Sequence, residues 1–221
     1  VYLAWSDEPA DQLRCAETYI RNNLEAGIVP YSPAPLPADG RIRVAYLSAD
    51  FHQHATAYLM AELFELHDRA RFEIEGVSFG LSAGKMHDRV RHSFDAFHDV
   101  RAKSDRETAL LLREREIDIA VDLKGFTTDS RPGIVMHRGA GLQVSYLGYP
   151  GTMGTDCVDY ILADAQTIPS SYERFYSEKV VRLPGSYQVN DRKRRVAERT
   201  PNRAELGLPE DGLGFCCFNN N

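Results

Sequence analysis

The chain has 221 residues, 43% of them hydrophobic and 26% charged, with a net charge of -6. Such a chain can bury one large core or two small ones, and its acidic balance excludes a general nucleic-acid surface, which would be basic. No run of about 18 apolar residues is present and the start, VYLAWSDEPADQ, is too polar for a signal-peptide core, so no membrane span, no membrane partner and a cytoplasmic setting are expected.

The first predicted element is an amphipathic helix over residues 9–26, with Leu13, Ala16, Ile20 and Leu24 on one stripe and Gly27 and Pro30 ending it. A lone helix cannot bury its stripe, so a longer helical region is expected before it. Pro30, Pro33, Pro35 and Pro37 then form a stiff connector that closes with Asp39-Gly40, a domain boundary. After it, strands and helices alternate. Strands are predicted at Ile42–Ser48, Phe72–Phe79, Ala96–Val100, Ile117–Leu123 and Leu142–Leu147, with two more at Tyr160–Ala163 and Val180–Leu183. The helices between them start at Thr56, taken as an N-cap, at Ser82, with Met86, Val90 and Phe94 on one face, and at Ser104, which forms a capping box with Glu107. A short helix is expected over Pro132 to Arg138. The βαβ rhythm implies a Rossmann-like α/β fold, a parallel doubly wound sheet. Residues 185–203 are polar and basic and read as a solvated linker. A short helix, a turn and a new strand, Leu213–Phe218, follow, as if a second unit began where the chain stops.

The four cysteines, Cys15, Cys157, Cys216 and Cys217, make no CxxC pair and no Cys/His ligand spacing, so no metal site and no disulfide framework are expected. Chemistry concentrates instead at the carboxyl ends of three strands. Asp50, His52, Gln53, His54 and Thr56 follow the first, Lys124 to Thr128 the fourth, and Leu147 to Gly154 the fifth. In a parallel sheet these loops share one edge, where ligands bind. A carboxylate and two imidazoles there can move protons near neutral pH. The glycines of GYPGTMG let backbone approach a ligand closely. The cleft wall suits a polyhydroxy ligand, a sugar or a nucleotide. Plainer roles compete: Asp50 as a turn cap, His54 as a satisfied histidine at a helix start, the glycines as turn residues only. No GxGxxG follows the first strand, and GxxxxGK[ST] is absent.

DFHQHATAYLM, DLKGFTTDSR and LQVSYLGYPGTMGTDCVDYILAD, continued by YSEKVVRLPGSYQ and FCCFNNN, resemble the catalytic region of the O-linked N-acetylglucosamine transferase family, including its bacterial and SPINDLY-like members. The resemblance covers residues 41–221. It implies a two-lobed glycosyltransferase of the GT-B type behind a TPR-type helical region. The chain would then carry a helical linker in 1–40, the N-terminal catalytic lobe in 41–200 and the start of the C-terminal lobe in 201–221, and would be inactive alone. The implied reaction moves a sugar from a UDP-sugar such as UDP-GlcNAc to serine or threonine hydroxyls of a protein acceptor, with inversion, without a metal and without a cofactor. The resemblance further implies His54 as a candidate general base and Asp50 as a second proton-handling candidate. Thr56, Leu147, Gly148 and Pro150 fall at the sugar pocket, and Asn220 where uridine or phosphate is contacted. Ala55 stands where many members have proline, Tyr58 where animal enzymes have a second histidine, and residues 1–40 contain no histidine. The donor sugar therefore stays open, as does a non-catalytic module that only binds a sugar nucleotide or a protein.

Overall fold

The computed structural model describes residues 5–24, 40–195 and 197–215. Residues 1–191 form one compact unit and residues 192–221 another. The first opens with α1 (Pro9–Asn23) and continues β1 (Ile42–Ser48), α2 (Ala55–Leu66), β2 (Phe72–Ser78), α3 (Lys85–His92), β3 (Ala96–Asp99) and α4 (Asp105–Glu114). Then come β4 (Ile119–Asp122), α5 (Gly133–Met136), β5 (Leu142–Tyr146), β6 (Tyr160–Ala163), a 3₁₀ turn at Ser170–Phe175 and β7 (Lys179–Arg182). The seven strands make one sheet in the order β3-β2-β1-β4-β5-β6-β7, and every neighbouring pair is parallel.

Both faces of that sheet are covered, which is why its central strands read as apolar runs and not as alternating patterns. Val44 and Tyr46 of β1 join Phe51, Met60, Phe64 and Ile74 in a core on the side of α2 and α3. Ala45 and Leu47, the alternate residues, join Leu112, Ile117 and Ile134 on the side of α4 and α5. Burial of a side chain such as Phe64 or Met60 contributes about 1.5–3 kcal/mol each. Four aromatic rings, Tyr46, Phe51, Phe64 and Phe94, meet edge-on or tilted in the first core, with centroids 4.7–6.2 Å apart. The stripe of α1 is buried too: Ile20 packs with Met136 and Cys157, and Tyr19 sets its ring against Phe126 at 5.1 Å.

Most strand boundaries fall within two residues of the sequence reading, and the capping box of Ser104 and Glu107 is present. Three elements differ. The second helix of the sheet, α3, opens at Lys85 and not at Ser82, because Gly84 takes φ +96 just before it, and Phe94 lies beyond its end. The N-cap of α2 is His54, whose side chain accepts from the Thr56 amide, so Thr56 is inside the helix and not its cap. In the second unit, residues 203–207 form turns where a short helix was expected. There Arg203 donates to the carbonyls of Pro209 and Gly212, and Arg199 pairs with Glu205 at 2.9 Å. Leu213 to Phe215 form no strand. The rest of the expected final strand, the proline-rich connector up to Asp39 and the helix end at Gly27 and Pro30 lie outside the described residues.

Candidate active site

The strand order reverses between β1 and β4, and the crevice at their carboxyl ends is the place where open parallel sheets bind ligands. The loop leaving β1 turns at once into α2. Asp50 is anchored by its own amide, which donates to Ser48 Oγ at 2.9 Å, and Phe51 fills the core beneath. His54, in extended backbone, then caps α2: the Thr56 amide donates to His54 Nδ1 at 3.2 Å. A backbone N–H can only donate. Nδ1 is thus the accepting nitrogen in this contact. Nε2 bonds to none of the described residues, and the side chain is 43% exposed. The His52 ring lies 5.8 Å away, edge-on.

The loop after β4 crosses to the first through a buried ion pair. Lys124 Nζ lies 2.7 Å from Asp50 Oδ2, with the two side chains 6% and 8% exposed. The same Oδ2 is 3.5 Å from Thr56 Oγ1 and 3.5 Å from His54 Nδ1. Asp122 shapes this loop by accepting the amides of Lys124 and Gly125 at 2.9 and 3.0 Å, and its burial pushes its carboxyl above the ordinary range despite those donors.

The third loop rests on the second. A Cβ on Gly125 would come within 2.5 Å of Tyr149, and one on Gly148 within 2.0 Å of the Leu123 carbonyl. Phe126 and Tyr149 set their rings 5.5 Å apart. Leu147 takes φ +67 in a three-residue turn closed by the Gly148 amide on the Tyr146 carbonyl at 2.8 Å, and its side chain packs on the core that holds Phe51 and Ala57. Residues with positive φ and a side chain are kept only where their surroundings fix them, and they gather at ligand sites. Pro150 is exposed, and its carbonyl accepts the Tyr176 hydroxyl at 2.8 Å.

Glu178 clamps the far side of this loop. Its carboxylate accepts from the Met153 amide at 2.6 Å and from Thr152 Oγ1 at 2.8 Å, while Thr152 Oγ1 accepts from the amides of Gly154 and Ser177. Gly154 is required on its other flank: it sits at φ +66, and a Cβ there would meet the backbone of Glu17 in α1 at 2.6 Å. Burial holds the Glu178 carboxyl above the ordinary glutamate range, outweighing the hydrogen bonds it accepts. A carboxyl raised in the folded state contributes stability that is complete below its unfolded value, about 4.3, and is lost as pH rises through the folded value. The protein should therefore gain stability as pH falls from neutral toward that range, and Glu178→Gln should flatten this slope. Urea midpoints at pH 7 and at pH 5 measure it; a Gln variant with the wild-type slope would free Glu178 of the effect.

The structure thus gathers Asp50 and His54 of one loop with Thr56 in the first turn of α2, and ties them through Lys124 to the strand edge against which Leu147 and Gly148 pack. Asn220 lies outside the described residues. Sequence reasoning named Lys124 as a loop residue and missed its partnership with Asp50. It also missed the Glu178 clamp. A carboxylate in a strand-to-helix turn needs a counter-charge, and a lysine directly ending another strand was the available signal. Three histidines outside this loop are held by neighbours: His87 Nδ1 meets the Phe51 carbonyl, His67 the Tyr46 hydroxyl, and His98 the Glu75 carboxylate.

Residues 28–200 match the model of glycosyl transferase family 41. The chain belongs to that family. It is 36% identical over 207 residues to the probable UDP-N-acetylglucosamine–peptide N-acetylglucosaminyltransferase SEC of Arabidopsis thaliana, a match covering 87% of this chain and 21% of that protein. It is 30% identical to the UDP-N-acetylglucosamine–peptide N-acetylglucosaminyltransferase of Caenorhabditis elegans, over 68% of this chain and 13% of that one. A variant of the Thermobaculum terrenum O-GlcNAc transferase superposes with a TM-score of 0.77 at 28% identity, over 82% of this chain and 35% of that chain. The chain therefore spans about a fifth of the Arabidopsis protein and about a third of the bacterial one. The expected family and the Rossmann-like, GT-B-type lobe both stand. Among the described residues no helix is long and apolar enough to cross a membrane, and no group of three or more His, Cys, Asp and Glu side chains is placed to hold a metal ion.

Proposed function

We propose that this family 41 chain is the N-terminal catalytic lobe of a protein O-glycosyltransferase. The enzyme moves N-acetylglucosamine from UDP-GlcNAc to a serine or threonine hydroxyl of a cytoplasmic protein acceptor, with inversion and without a metal. In this reading α1 ends a TPR-type region, and residues 201–221 begin the C-terminal lobe, to which Asn220 belongs. The carrying observation is the junction of the β1, β4 and β5 loops at the switch point, with His54 Nε2 open to a ligand. Attack on the anomeric carbon requires the acceptor hydroxyl to lose its proton and the leaving diphosphate to gain stabilisation. His54 offers Nε2 to the reacting oxygens, and the positive end of α2 lies beside it. Leu147, Gly148 and Pro150 wall the sugar, and the Thr56 hydroxyl lies beside it.

Ala55 and Tyr58, on the first turn of α2, favour a second reading: the same transfer with a donor other than UDP-GlcNAc. One experiment tests both. The intact protein is given an acceptor peptide and a panel of sugar nucleotides, and UDP or GDP release is followed with the peptide's mass. Transfer from UDP-GlcNAc supports the first reading, and transfer only from another donor supports the second. Binding without turnover of any donor overturns both.

A further inference from the structure

We propose that Lys124 is a positioning residue for His54: by holding Asp50 Oδ2 in a buried ion pair, it keeps the imidazole proton on Nε2. Asp50 Oδ2 and the Thr56 amide compete for the same nitrogen. The amide needs Nδ1 bare; the carboxylate, 3.5 Å away, favours Nδ1 protonated. A carboxylate that wins this contest makes Nε2 the lone-pair nitrogen, as in serine hydrolase triads. Here the lysine ammonium lies closer to that oxygen than the ring does, 2.7 Å against 3.5 Å, and little water reaches the pair. The charge on Asp50 is thereby spent on Lys124. The helix cap holds Nδ1, and Nε2 presents an N–H. No proton leaves the site; Lys124 decides which of two nitrogens carries it. His54 then acts on the reacting oxygens as a hydrogen-bond donor. It becomes a base only if its proton first moves to Nδ1 and the α2 cap opens. Among the described residues the His52 ring, edge-on at 5.8 Å, is a further titratable group beside His54.

This inference rests on the transferase reading only for its kinetic consequence. Its primary test is independent of turnover: long-range ¹⁵N–¹H spectra of the histidine rings in the intact protein, above the titration range of His54. Wild type is expected to show the proton on Nε2 of His54; a proton on Nδ1 overturns the proposal without any variant. Lys124→Met should move the proton to Nδ1, and the double variant Asp50→Asn/Lys124→Met, which lacks the carboxylate, should return it to Nε2. An unchanged ring in Lys124→Met, or a moved proton in the double variant, counts against it. With an active donor in hand, Lys124→Met should lower kcat by about 10²-fold or more at little change in KM, since a wrong histidine tautomer costs up to about 10⁴-fold. If no donor is turned over, the transferase reading fails while the ring spectra still decide the role of Lys124.

Discussion

Replacing His54 with alanine in the intact protein should lower transfer by about 10²–10³-fold, the usual worth of one hydrogen-bond donor aimed at developing charge. The same change should cost only about 1 kcal/mol of stability, because what folding loses is one N-cap. The two effects separate cleanly with His54→Asn. Asparagine is among the best N-caps, so its carboxamide oxygen takes over the Thr56 amide and stability returns close to wild type. It has no imidazole, so transfer stays as low as in the alanine variant. Chemical denaturation and initial rates of UDP release measure the pair. An asparagine variant with wild-type turnover would reduce His54 to a helix cap, the plainer role weighed from the sequence.

Gly148→Ala is the second large effect, and it comes from backbone, not chemistry. A methyl group there would stand 2.0 Å from the Leu123 carbonyl oxygen and 3.0 Å from its carbon. Neither side has room to give. Leu123 is pinned by its amide on the Leu47 carbonyl at 3.0 Å, and Gly148 by its own amide on Tyr146. The expected loss is about 3 kcal/mol, the upper range for overpacking, and transfer should vanish because the loop proposed to wall the sugar is displaced. Gly185→Ala is the matched control. It places a methyl at φ +81 with nothing within 4 Å, so it should cost only the left-handed backbone penalty of about 1–2 kcal/mol. Thermal melts of both variants test the contrast; equal losses would mean that the loop yields to the added methyl.

How much of this was readable in advance depends on distance along the chain. β1 was legible because both of its faces are buried and its apolar run is bounded by polar turns. The capping box at Ser104 was legible because its parts lie three residues apart. The wrong start for α3 has a local cause as well: Ser82 has the composition of a cap, but Gly84 at φ +96 sets where the helix turns. His54 took the cap that Thr56 was expected to fill, and only coordinates distinguish two polar residues two positions apart. Lys124 and Asp50 are separated by 74 residues, and Glu178 grips Met153 across 25. No periodicity reports such pairs. The site's loops were found from composition and from the rule for parallel sheets. What holds them together was not.

The order of the sheet also bears on how the chain is made. β1 is flanked by β2, which follows it closely, and by β4, whose first residue is emitted by the ribosome some time after β1 is complete. Pairings between segments far apart in sequence form slowly, because the loop must close before any contact rewards it. During synthesis, then, the half built from β1, β2 and β3 has its inner edge bare until β4 emerges. During that interval the bare edge of β1 is open to non-native pairing, and slow codons before Ile119 would lengthen it.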